Sequence, residues 1–311
     1  GKFTFESPYF NVDEFMMFDS KSTSGKAATA SSSGTGVIQV PKNLNILFDA
    51  TAHKIKYTEY NLDNFTGSLL INAGKIDLQN TNFGLIGTKV NMNGTYEPTG
   101  FRKAKFDYAI QASEFDIQRA YKEITLFREM VSMAKDAYGQ VSLDYKLKGD
   151  LDKNMFPVFR SLVGGGSLTL ENIEFKGFNL FGAIAKETNT KSLEEGKAKD
   201  VEIKTTIQDN VMTIERTRMK MAGFRPRFEG QISLDGEMNI GFRLGLPPMG
   251  IIGIPMKIQG TSDNFKIKLG RYKPSEVLGR AANDDEEDEE EQPEASEVNG
   301  VTPEGESTTP A

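Results

Sequence analysis

Any catalytic reading has to begin at His53, because it is the only histidine and the chain has no cysteine. A Ser/His/Asp triad would need His53 as its base, and no G-x-S-x-G elbow supplies a nucleophile. His53 stands in the alternating stretch Ala52 to Tyr57, so it reads as an ordinary strand position. Without cysteine there are no disulfides, thiol nucleophiles or thiolate metal sites, and a zinc site cannot be assembled from one histidine. The run Asp284 to Glu291 is wholly acidic but lacks the spaced ligands and turn glycine of a calcium loop; it reads as a solvated tail. Gly164-Gly165-Gly166 is not followed by Lys-Ser/Thr in the place a phosphate loop needs, so it reads as a flexible approach to a strand at Ser167 to Leu170. Arg225-Pro226-Arg227 is too small a basic spot for nucleic acid, which is not expected as a partner. Asn64-Phe65-Thr66 and Asn93-Gly94-Thr95 are glycosylation sequons whose meaning depends on the host. No catalytic residue, no metal and no cofactor is expected.

What remains is a pattern of elements. Apolar residues alternate with mostly polar neighbours at Leu44, Ile46 and Phe48; at Ile76 and Leu78; at Val90 and Met92; and at Phe106, Tyr108 and Ile110. The alternation resumes at Val141 to Leu147, Val201 and Ile203, Ile232 and Leu234, Met238 to Leu244, and Phe265 to Leu269. Each run predicts a strand with one apolar and one polar face. Turn signals such as Asn72-Ala73-Gly74 and Asp235-Gly236 separate them at hairpin distances, which favours an antiparallel meander. The longest helical interruption is expected to start at Ser113 as N-cap, to carry Ile117, Tyr121, Ile124, Phe127, Val131 and Ala134 on one face, and to stop at Gly139. This helix is expected to pack on the end of the sheet. Shorter helices are expected at Asn154 to Leu162 and Asn179 to Lys186. The fold class is therefore mainly β: an elongated curved antiparallel sheet, either an open groove or sandwich-like, with one long and two short helices.

An internal repeat runs through this pattern. KIDLQNTNFGLIGTKVNMNG (75–94) aligns without gaps on VMTIERTRMKMAGFRPRFEG (211–230), with Leu78 on Ile214, Thr81 on Thr217, Gly87 on Gly223, Met92 on Phe228 and Gly94 on Gly230. The matched glycines mark the same turn twice.

Composition sets the boundaries. Residues 19–36 are Ser/Thr/Gly/Ala-rich, so residues 1–36 read as an N-terminal segment with a flexible loop. Residues 37–272 form the β domain. Residues 273–311 read as an acidic disordered tail: from Asp284 onward there are 12 acidic residues and no basic one. The rest of the chain then holds 37 basic side chains against 44 less those 12 acidic ones, about +5 in place of the overall −7. No segment has the roughly 20 consecutive apolar residues of a membrane-spanning helix. The chain opens on Gly1 in place of Met, which fits a piece of a longer protein whose signal or anchor lies upstream.

The run Asn43 to Pro98 resembles the repeat of the AsmA family: a strand, a hairpin, then a glycine-spaced return strand. Gly139 to Leu151, Gly164 to Ile184 and Phe228 to Leu246 are similar to that family's C-terminal region. The resemblance covers residues 36 to 272 and has no catalytic motif to carry over. It implies a protein anchored in the inner membrane of a diderm bacterium by an N-terminal segment absent from this sequence, projecting into the periplasm. It also implies kinship with bridge-like lipid-transfer proteins such as TamB, which use an apolar β-groove in outer-membrane homeostasis. The expected partners are phospholipid acyl chains, with Ile76, Leu78, Val90, Met92, Phe106, Tyr108, Ile110, Met212, Ile214, Ile240, Phe242 and Leu244 as groove lining. The alternatives are a scaffolding β protein that binds another envelope protein through a sheet edge, and a glycan-binding module, which the absence of Trp disfavours.

Overall fold

The computed structural model describes residues 1–14, 37–176, 179–187, 197–198, 201–221, 223–247, 249–261 and 264–273, together with 189, 191 and 278. The Ser/Gly-rich stretch 19–36 and the tail from 279 onward lie outside these. Residues Gly1–Gly279 form one compact unit.

The alternating runs pair into a single open, curved sheet of 16 strands. β1 (Lys2–Ser7) and β2 (Phe10–Asn11) both lie parallel to β3 (Asn45–Tyr57) along one edge. An antiparallel meander follows: β4 (Tyr60–Asn72), β5 (Lys75–Leu85), β6 (Thr88–Gly100), β7 (Lys103–Asp116), β8 (Ala137–Leu151) and β9 (Val163–Phe175). The short β10 (Lys197–Ala198) pairs with one end of β9, and β11 (Val201–Gln208) with the rest of it. The meander resumes through β12 (Val211–Arg218), β13 (Arg225–Ser233), β14 (Glu237–Gly245), β15 (Gly253–Thr261) and β16 (Phe265–Leu269). The expected turns hold: Ala73 and Gly74, and Gly236 after Asp235, take the positive φ that tight hairpins need.

The repeat is structural down to its irregularity. In β5–β6 the register slips between Leu78 and Thr81, so that Leu78 faces Gly94 and Thr81 faces Met92. In β12–β13 it slips between Ile214 and Thr217, so that Ile214 faces Gly230 and Thr217 faces Phe228. These are the aligned positions. Gly94 and Gly230 have φ of +146° and +147°, and a Cβ on either would collide with a carbonyl oxygen of the next strand, Asp107 or Asn239. The Asn93 side chain serves the same feature, its Oδ1 accepting from Asn80 N at 2.6 Å. Such bulges add local twist and bend a sheet.

The helical region differs from the expectation. β7 continues through Ser113 to Asp116, because Phe115 is buried opposite Val141 of β8 after a bulge at Glu114. Asp116 is the actual N-cap, its Oδ1 accepting from Arg119 N at 2.7 Å. The expected long helix is two short ones, α1 (Ile117–Glu123) and α2 (Thr125–Met130), with a 3-10 turn at Ser132–Asp136. Ile124 between them is extended, at φ −116° and ψ 102°. Gly139 is not a stop but part of β8, and Val131 is exposed. The helix expected at Asn154 to Leu162 is a loop shaped by Asp152, which accepts from Asn154 N and Phe156 N, with one 3-10 turn at Phe159–Ser161. The last helix is present as α3 (Asn179–Glu187).

Candidate apolar groove

Cross-strand register decides which side chains share a face, because alternate residues point to opposite faces. One row runs across the sheet through Phe48, Leu69, Leu78, Gly94, Tyr108, Leu147, Gly164, Ile207, Met212, Ile232, Met238, Gly260 and Phe265. The next row, one pleat along, contains Met92, Ile110, Tyr145, Thr205, Ile214, Ile240 and Ile258. Neither row contains a charged residue. The other face carries the charges, including the pairs Lys75–Glu97 (2.9 Å) and Arg216–Glu229 (2.9 Å). All twelve expected lining residues fall on the apolar face. At about 4.8 Å per strand, the row from β3 to β16 is roughly 60 Å long along its arc.

The two margins of this face are covered. At one end of the strands α1 and α2 bury Ile117 and Ala120 with Ile55, Phe65, Phe83, Val90 and Val141, and Phe127 meets Phe115 edge-on at 5.8 Å. At the other end residues 37–40 and the loop before β9 bury Tyr96, Phe106 and Leu162. Over β14 and β15, Ile184 and Ala185 of α3 close on Phe242, Leu244 and Met256. Among the described residues no second sheet faces the strip between the margins.

The twelve therefore separate into two groups. Ile76, Leu78, Met92, Tyr108, Ile110, Met212 and Ile214 are half-buried. Val90, Phe106, Ile240, Phe242 and Leu244 are buried, Leu244 completely, because the end caps pack on them. Those five are core and do not reach a groove in this conformation. Leu78 belongs to none of the three buried clusters among the described residues.

The strip is uncharged but not wholly apolar. The Tyr145 hydroxyl lies 2.6 Å from Thr205 Oγ1, and its ring lies against Gly166 on the adjacent strand. Burial pushes the Tyr108 hydroxyl up to about 12 and raises those of Tyr96 and Tyr145, so all three are neutral at physiological pH. The Tyr96 hydroxyl donates to Ile38 O at 3.0 Å. The Tyr145–Thr205 pair was not anticipated; its one sequence signal is Gly166, whose missing side chain leaves room for the ring.

The three glycines Gly164 to Gly166 lie inside β9 and do not lead into it, correcting the expected flexible approach. A Cβ on Gly165 would meet Thr205 O at 2.5 Å. On the charged face the bare Gly165 floors a depression of about 420 Å³ lined by Asp144, Lys146, Lys204, Thr206 and Glu215, with charges of both signs. His53 is exposed on β3. Among the described residues no three His, Asp or Glu side chains gather into a metal site, and no helix is long and apolar enough to cross a membrane. Comparisons with protein-family models, with characterised proteins and with solved structures find no match to this chain.

Proposed function

We propose that this chain is a non-enzymatic lipid-holding protein of a bacterial envelope, and that phospholipid acyl chains lie along the uncharged strip. The observation that carries this reading is that two adjacent rows cross the sheet without a charge while Leu78, Met92, Tyr108, Ile110, Met212 and Ile214 in them stay half-buried, with no second sheet facing them among the described residues. Each methylene withdrawn from water is worth about 0.8 kcal/mol. A continuous strip therefore lowers the cost of moving a lipid across water with no reacting group. The resemblance to the AsmA family supports the same reading and adds a location: the periplasm of a diderm bacterium, held to the inner membrane by a segment outside this sequence, in the service of outer-membrane assembly.

The test is native mass spectrometry of the purified chain, with uptake of phospholipid from vesicles as the second arm. Adducts of phospholipid mass are expected. A chain that is recovered bare and takes up none refutes the reading.

A second reading rests on the open edges. The sheet ends on β1 and β16, where Phe3 and Leu269 are more than half exposed. A scaffolding protein would recruit an envelope partner there by strand addition. Partner capture that survives charged substitutions on the strip, in a chain that carries no lipid, would favour it.

A further inference from the structure

We infer that the corner formed by the β12–β13 and β14–β15 turns docks on an anionic lipid bilayer, inserting Met249, Ile251 and Ile252 among the head groups. The two turns are neighbours at one end of the sheet, since Arg225 at the start of β13 pairs with Gly245 at the end of β14.

The tip is apolar and held in place. Met249, Ile251 and Ile252 are 66%, 74% and 75% exposed. One exposed aliphatic side chain is ordinary; three on one hairpin tip mark a contact surface. Arg243 braces the tip from behind, donating to Gly250 O at 3.1 Å and to Ile251 O at 2.5 Å. Backbone bonds from Gly250 N to Leu246 O and from Leu246 N to Ile252 O, both 2.8 Å, close the turn.

The surroundings are cationic. Arg218, Arg227 and Arg243 lie directly opposite one another on three adjacent strands. Residues 216–228 hold five basic side chains and no acidic one, and 238–261 hold two and none. Glu229 is committed to Arg216, at 2.9 and 3.0 Å. Burial and the guanidinium groups of Arg243, Arg216 and Arg218 hold the Arg227 pKa below its usual value. Like charges opposed across strands destabilise a sheet, and an anionic surface reverses the sign of that term. Aliphatic side chains ringed by arginine are what an interfacial anchor presents. A protein partner fits less well, because a stable interface buries about 800 Å² on each side and this tip is three side chains.

The chain has no Trp, so Ile252→Trp gives a unique fluorophore in the full chain. With phosphatidylglycerol-containing vesicles its emission should shift to the blue and be quenched by brominated acyl chains; with pure phosphatidylcholine the shift should be small. In co-sedimentation, Arg218→Gln with Arg227→Gln should weaken binding about fivefold per arginine. Ile251→Ser with Ile252→Ser should weaken it at least about tenfold. All four side chains are at the surface or half-exposed, so no unfolding midpoint should fall, and that of the arginine pair should hold or rise as the cross-strand repulsion is relieved. An unshifted Trp, or a serine pair that binds like the parent, overturns the inference. So does self-association that the serine pair abolishes without any vesicle binding, which would assign the tip to a protein partner. The inference stands apart from the lipid strip: Leu78→Asp should abolish lipid loading and leave vesicle docking intact.

Discussion

The contrast between Leu78→Asp and Phe106→Asp separates a groove from a core. Phe106 is buried in the cluster that includes Tyr96, Ala104 and Leu162. Losing its packing costs about 3–5 kcal/mol, and a carboxylate left there adds several more. That is comparable with the whole stability of a domain, about 5–15 kcal/mol, so Phe106→Asp should unfold the chain. Leu78 is half-buried and outside the buried clusters, so its replacement forfeits about half of a leucine's transfer energy, roughly 1 kcal/mol, and leaves its carboxylate in reach of water. The effect on lipid is larger. If the charge keeps about four methylenes from the strip, the loss is roughly 3 kcal/mol, an affinity drop of about two orders of magnitude. Urea unfolding reads the first quantity, and phospholipid occupancy by native mass spectrometry the second. Both belong at mildly alkaline pH, because an apolar site raises a carboxyl pKa and protonation would mask the charge. A folded Leu78→Asp chain that loads lipid like the parent refutes the groove. An unfolded one shows that Leu78 is core, and refutes it equally.

Gly94→Ala and Gly230→Ala should each destabilise by about 1–3 kcal/mol in chemical denaturation, since both impose a side chain on a positive φ against a neighbouring carbonyl. Similar losses at the two sites would establish that the repeat is also energetic. Asp116→Ala should cost about 1 kcal/mol by removing the cap on Arg119 N, whereas Ser113→Ala should cost less than Asp116→Ala. The raised Tyr108 pKa means that stability is complete below about pH 10 and falls as pH rises toward about 12, because the unfolded chain releases the phenolic proton first. Tyr108→Phe should flatten part of that decline in urea titrations, with Tyr57, Tyr60, Tyr96 and Tyr145 contributing to what remains.

How much of this was legible in the sequence depends on the range of the interactions involved. Alternation at Ile76 and Leu78, or at Phe106, Tyr108 and Ile110, is a property of adjacent residues and announces both a strand and its apolar side. The repeat was equally readable, because Thr81 and Gly94 recur as Thr217 and Gly230 wherever the same bulge is built. The helix start was misread for the opposite reason. Ser113 followed by Asp116 is a sound local cap, but Phe115 lies between them and its burial depends on Val141, which is 26 residues away. The parallel pairing of β1 with β3 had no local signal, since the stretch between them carries no pattern.

By itself, then, the sequence determined that the chain is a one-sided β meander with no thiol and a single histidine. Both are matters of composition and of side-chain period, which do not wait for folding. Only the tertiary structure decided which members of the apolar face are buried and which stay half-buried. Val90 and Leu78 are alike in sequence; α1 and α2 come to rest over the first, while the second stays half-buried outside the buried clusters. Burial is a property of what lies opposite in space, and no period along the chain encodes it.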